Sequence, residues 1–175
     1  MSVSAHLTPE PERRLWIILD SMRHAVEWTE TKTGALTVFA AAELAFLRIT
    51  SASDPVGSLA IAALTVALPV GVFAFAPLNR LPKWLAFLEP PRHRPGTADN
   101  FISPEDLAKY THGDLIFRFD KYLGGGITAT AYYEDIIGQI AESAHVAARK
   151  QRLFRLACLL VGLAQLCLLG QLIRR

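Results

Sequence analysis

The chain holds 175 residues, with 18 Lys and Arg against 16 Asp and Glu, 51% hydrophobic and 19% charged side chains, and a mean hydropathy of +0.27. So few charges do not cover a globule of this size, and the composition excludes disorder, collagen-like repeats and nucleic-acid binding by bulk charge. It points to a membrane protein, in which the placement of Lys and Arg says more than the net charge of +2.

Thr8-Pro9-Glu10 has the signature of a helix start, with Thr as cap, Pro in the first turn and an acid favoured by the dipole. Leu15, Ile18, Met22, Ala25 and Thr29 then recur at three and four, which predicts an amphipathic helix over residues 8–32. The next stretch, residues 33–53, is apolar but carries Glu43 and lies between Lys32 and Arg48, so hydropathy alone makes it a marginal span. Its position favours it: residues 49–55 are too few to carry the chain across a bilayer before the following apolar run begins. That run, residues 55–79, has no charged side chain and exceeds the roughly 30 Å hydrocarbon slab at ~1.5 Å per residue. A transmembrane hairpin is predicted.

Residues 80–128 form a linker with short elements. Pro82, Pro90, Pro91 and Pro95 remove backbone donors and disfavour helix before them. Ser103-Pro104-Glu105-Asp106 caps a short helix, and Gly124-Gly125-Gly126 marks a turn. From residue 129 to 154, Tyr133, Ile136, Ile137, Ile140 and Ala144 keep helical spacing up to the basic Arg149-Lys150-Gln151-Arg152. No breaker precedes the third predicted span, residues 155–173, so one helix of about 65 Å is expected. The expected fold is an all-α membrane protein: three transmembrane helices, two of them extended by long helices into a small cytoplasmic helical bundle.

Orientation follows from the basic residues. Arg13, Arg14, Arg23 and Lys32 precede the first span, and all other Lys and Arg except Arg48, Arg174 and Arg175 lie between the second and third. The N-terminus and the central region are therefore expected in the cytoplasm of a multi-pass inner-membrane protein, with Trp28 and Trp84 in the interfacial belt. The first apolar run begins only at Thr33 without a cleavage pattern, so no cleaved leader is expected. Cys158 and Cys167 fall on opposite faces of the last span and cannot pair within one chain.

Several positions invite a functional reading, each beside a structural one. Ala63, Ala67 and Gly71, extended by Ala60 and Ala74, make one side of the second span flat, suited to self-association or equally to packing on the first span. Glu43 costs ~2.5 to 3.5 kcal/mol in the middle of a span if ionised. It is either a gating or pore-lining group, or a protonated acid bonded to Ser58, Thr65 or Gln165. Glu142 and His145 have the spacing of a di-iron half-site but lack the matching half, so no metal is expected. Gly124 to Gly126 before a helix start reads as a flexible turn or a phosphate nest, with Glu134 and Asp135 opposing an anion. Arg80, Lys83, Arg92, Arg94 and the cluster from Arg149 to Arg155 suit anionic lipid, at about 1 kcal/mol per charge, or a bound anionic ligand. Arg118 and Lys121 beside Phe117 and Phe119 combine charge with stacking and are the better ligand candidates. No nucleophile with a base and no paired acids emerge, so no catalytic residues and no enzyme are expected.

Two motifs carry a resemblance. Glu30-Thr31-Lys32-Thr33-Gly34 leads into the hairpin, and Asp135-x-x-x-Gln139-Ile140 is followed by Ala148-Arg149-Lys150-x-Arg152-Leu153-x-Arg155-Leu156 before the last span. From Trp16 onward the chain resembles the short transmembrane effectors of bacterial Pycsar anti-phage systems. The resemblance implies an effector answering a cyclic pyrimidine nucleotide, cUMP or cCMP, made by a partner cyclase, and compromising the inner membrane so that infection aborts. Larger relatives carry a cyclic-nucleotide-binding barrel. This chain lacks the Gly-rich alternating strands for one, so an oligomeric pocket of cytoplasmic helices is expected, with Lys32, Arg118, Lys121, Arg149 and Lys150 as ligand-binding cations. No cofactor is expected beyond that activating nucleotide, and the partners are the bilayer, the cyclase through its product and further copies of the chain. The alternative is a constitutive membrane scaffold or accessory subunit without nucleotide response.

Overall fold

The computed structural model describes residues 11–50, 55–76, 99–123 and 131–174, and every regular element among them is helical. They are α1 (Pro11–Thr50), α2 (Pro55–Phe73), α3 (Pro104–Leu107), α4 (His112–Leu123) and α5 (Ala131–Arg174). The protein is all-α, as its periodicities predict. Thr8, Trp84, the Pro-rich linker with Arg80, Lys83, Arg92 and Arg94, the triple glycine and Arg175 lie outside the described residues.

Contacts divide the chain into two compact units, Met1–Val26 with Leu81–Arg149, and Glu27–Arg80 with Lys150–Arg175. Helices α1 and α5 each supply residues to both.

The first unit is a helical bundle with an apolar core. Leu15, Ile18, Leu19 and Met22 line one face of α1 and are buried against Ile136, Ile137, Ile140 and Ala144 of α5 and Leu107, Leu115 and Phe119 of α3 and α4. Each Leu, Ile, Met or Phe among them contributes about 1.5–3 kcal/mol by leaving water, which is the main term holding these elements together. Tyr132 Oη donates to Glu12 Oε1 at 2.9 Å and Arg23 to Gln139 Oε1 at 3.4 Å, so within this unit α1 and α5 run side by side in the same direction. Pro104 stands in the first turn of α3, behind Ser103 in extended conformation. Thr111 caps α4: Asp114 N–H donates to Thr111 Oγ1 and Thr111 N–H to Asp114 Oδ2, both at 3.3 Å, a reciprocal cap that the sequence reading overlooked.

The second unit packs α1, α2 and α5 through small residues. Ala60, Ala63, Leu64 and Ala67 of α2 are buried with Ala40 and Leu47 of α1 and Val161 and Ala164 of α5. Between apolar helices in lipid there is no transfer from water to gain, so close van der Waals contact and interhelical hydrogen bonds replace it. Thr33 and Thr37 donate to the carbonyls of Thr29 and Thr33, both at 2.7 Å, which satisfies hydroxyls along the packed side of α1 without a partner helix. Outward, Val38, Phe39, Phe46, Leu59, Val66, Val72, Leu159, Leu166 and Leu172 are exposed.

Among the described residues two helices, α2 and the C-terminal part of α5, are long and apolar enough to cross a membrane; the expectation of three was finer than this. Only 33% and 17% of their apolar windows are buried, which distinguishes them from the core helices of a soluble protein. The protein is thus a multi-pass membrane protein. The apolar run of α1 differs physically because Glu43 interrupts it and charged residues bound it.

Candidate functional site

In the second unit, Lys150 of α5 is buried, with 4% of its surface exposed. A buried ammonium needs partners for its charge and its three protons. Its Nζ donates to Glu30 Oε1 of α1 at 2.5 Å and to the Ala74 carbonyl at 3.0 Å. Ala74 follows the last residue of α2, where carbonyls have no partner further along the helix and where a cation complements the dipole. One side chain therefore ties together three helices. Glu30 and Lys150 come from the two separate motifs that carry the family resemblance, 120 positions apart.

Glu43 and Gln165 form a second polar contact. Gln165 Nε2 donates to Glu43 Oε1, linking α1 to α5 in the same direction as the Lys150–Glu30 pair does. The other two candidates for Glu43 are engaged locally, Ser58 with the Pro55 carbonyl and Thr65 with the Ile61 carbonyl, both at 2.7 Å. The pair borders a groove of about 530 Å³ lined otherwise by apolar side chains such as Phe46, Leu169 and Leu172.

In the first unit, charge collects around Asp99. Its Oδ2 accepts from Tyr110 Oη at 2.6 Å and lies 3.6 Å from Arg118 Nη1, while Lys109 Nζ reaches Asp99 Oδ1 at 3.3 Å and Asp106 Oδ1 at 2.5 Å. The Arg118 guanidinium lies 4.7 Å from the Tyr110 ring centroid and 5.4 Å from that of Phe101. The neighbours expected to stack with it do otherwise: Phe119 is buried in the core and Phe117 is 75% exposed. The hydrogen bond from Lys109 holds the Asp106 carboxyl below its ordinary value, and Asp106 in turn raises Lys109. Asp106 therefore stabilises the fold fully above the ordinary carboxylate range, and this contribution is lost as the pH falls through its lowered folded value. Lys109 contributes below its ordinary range and loses that contribution only as alkaline pH passes its raised value. Carboxyl NMR of the full protein in detergent should show Asp106 titrating below the ordinary aspartate value, and Lys109→Met should raise it.

The remaining predicted positions fall in several places. Lys32 is exposed, 4.9 Å over the Trp28 ring, and Lys121 is exposed in the last turn of α4. Arg149 is half-buried. Arg118, Lys121 and Arg149 belong to the first unit, and Lys32 and Lys150 to the second. Ala63, Ala67 and Gly71 are buried inside the second unit, where a Cβ added to Gly71 would stand 2.2 Å from Thr37 Oγ1. Glu142 is exposed, and no group of three or more His, Cys, Asp or Glu able to hold a metal occurs among the described residues. Cys158 and Cys167 are both free thiols.

Missed in the sequence were the roles of Glu30 and Asp99. The acidic motif directs attention to Lys32, yet it is Glu30, two residues earlier, that meets the basic motif. Residues 14–173 match the family model described as the Pycsar effector protein domain. No curated protein and no solved structure matches.

Proposed function

The chain belongs to the Pycsar effector family of non-catalytic membrane effectors in cyclic-nucleotide-triggered anti-phage defence, and on that premise we propose how it acts. It is an inner-membrane effector with three spans, activated by cUMP or cCMP from a partner cyclase, that impairs membrane integrity and so ends infection with the death of the host cell. Its N-terminus and central region face the cytoplasm, in keeping with the positive-inside distribution of Arg13, Arg14, Arg23 and Lys32 and the basic residues between α2 and the apolar C-terminal part of α5.

The observation that carries the reading is the packing of the α1 segment bearing Glu43. Ala40 and Leu47 are buried among α2 and α5 while Val38, Phe39 and Phe46 stay exposed, so this segment lies alongside two helices able to span and shows an apolar surface as they do. Parallel α1 and α5 with one intervening α2 also suit a chain that crosses, returns and crosses again. The messenger's phosphate is the ligand for cations among Lys32, Arg118, Lys121 and Arg149, of which Lys32 and Lys121 are exposed, whereas Lys150 is buried and committed to Glu30 and the Ala74 carbonyl. Because α1 and α5 supply residues to both units, a ligand that shifts either helix in the first acts on the same helix in the second.

Dye release from liposomes containing the purified protein tests this. Cyclic UMP or CMP should raise leakage several-fold over purine cyclic nucleotides. Leakage indifferent to every nucleotide would instead make the chain a constitutive scaffold.

A further inference from the structure

The three apolar segments differ in the charge they carry. Residues 55–73 of α2 and 156–173 of α5 hold no Asp, Glu, Lys or Arg, and residues 33–47 of α1 hold Glu43 alone. Hydroxyls in these segments are settled within their own helices: Thr33, Thr37, Ser58 and Thr65 each donate to a carbonyl three or four positions earlier at 2.7 Å. Glu43 is only half settled. Its Oε1 accepts from Gln165 Nε2, whereas Oε2 is shielded by the chain's own atoms and is the one buried side-chain oxygen without a partner among the described residues. Such an oxygen is costly in an apolar surround, and the cost is relieved when water reaches it.

We propose that the path opened when the membrane is permeabilised runs past Glu43, and that this carboxylate makes it conduct cations in preference to anions. The closed packing leaves Oε2 dry and unpartnered, so water entering between α1 and α5 gains most at this point. A hydrated carboxylate is an anion at neutral pH, and no Lys or Arg opposes it within the three segments. Lys32, Arg48 and Arg155 bound the segments instead, where headgroup phosphates and salt screen them over about 8–10 Å. Glu43 lies between these limits, on helices whose Ala40, Leu47, Val161 and Ala164 are apolar, and low-dielectric walls focus the field of a charge on the water beside it. A path lined by several copies has the same sign, because each brings the same acid and no base. The inference deepens the proposed function and rests on its reading that the chain permeabilises the membrane.

The test measures current through neutral phosphatidylcholine bilayers containing the full-length protein, with cyclic UMP or CMP, under a KCl gradient. One charge met at contact distance in water favours a cation about fivefold and disfavours an anion as much, so the wild type should pass K+ over Cl− by about 5- to 30-fold. Glu43→Gln, which keeps an acceptor for Gln165, should conduct with a ratio of about one, and Glu43→Asp should keep the cation preference. Glu142→Gln, at an exposed acid of the first unit, should match the wild type. A wild-type ratio at or below unity, or a Glu43→Gln ratio equal to that of the wild type, would overturn the inference while leaving permeabilisation intact. Absence of current with every nucleotide would overturn both.

Discussion

Glu30→Ala is expected to lower the stability of the detergent-solubilised protein by about 2–3 kcal/mol, and adding Lys150→Met to the same chain to restore most of that loss. The Lys150 ammonium is 4% exposed and has two acceptors, the Glu30 carboxylate at 2.5 Å and the Ala74 carbonyl at 3.0 Å. Removing the carboxylate leaves a buried charge with one neutral acceptor, and such an orphan is penalised by the desolvation it has already undergone. Glu30 itself is partly exposed, with 38% of its side chain in contact with solvent, so it is rehydrated easily and the loss falls below the full cost of breaking a deeply buried pair. Methionine at position 150 keeps the stem volume and carries no proton to satisfy, hence the recovery. Thermal unfolding of the wild type, both single variants and the double variant gives the coupling directly. Equal stability of Glu30→Ala and wild type would show that the pair carries none of the helix-to-helix attachment.

Gly71→Ala should destabilise by about 1–3 kcal/mol through overpacking, and Gly71→Leu by more. An added Cβ would stand 2.2 Å from Thr37 Oγ1, 3.3 Å from its Cβ and 3.4 Å from its Cγ2. The Thr37 hydroxyl is already committed to the Thr33 carbonyl at 2.7 Å, so moving it breaks a hydrogen bond as well as shifting α1 from α2. Thr37→Ala removes the nearest atom, and the double variant should regain most of the loss. Gly162→Ala and Gly170→Ala are the controls: nothing lies within 4 Å of a Cβ at either position, so helix propensity alone should make them neutral or stabilising by up to about 1 kcal/mol. A Gly71→Ala protein that melts with the controls would mean that α1 and α2 do not approach as closely as described.

The helices and their buried faces could be read from the chain because they obey local rules. Leu15, Ile18 and Met22 recur with the helical period and form core; Ile136, Ile137, Ile140 and Ala144 do the same. The apolarity of α2 was equally plain, since hydrophobic length is a property of a contiguous segment. The candidate site was legible only as residue types. Arg118 stood out for its aromatic neighbours in sequence, yet its rings come from Phe101 and Tyr110, because at 100° per residue Phe117 and Phe119 point away from one another. Thr111 was passed over because its cap is completed by Asp114, not by the Glu or Gln of the usual pattern.

By itself the sequence determined helix content, the apolar runs, the charge asymmetry and the motifs of the family, all of which depend on neighbours within a few turns. The tertiary structure alone decided which partner each polar group finds. Glu30 meets Lys150 across 120 positions and Gln165, not Ser58 or Thr65, meets Glu43. It also decided that the flat face of α2 is occupied by the chain's own helices, with Gly71 against Thr37. The reason is physical: helical period places a residue on a face, but only the packing of one helix on another brings donors to acceptors and small residues to the side chains that need their space.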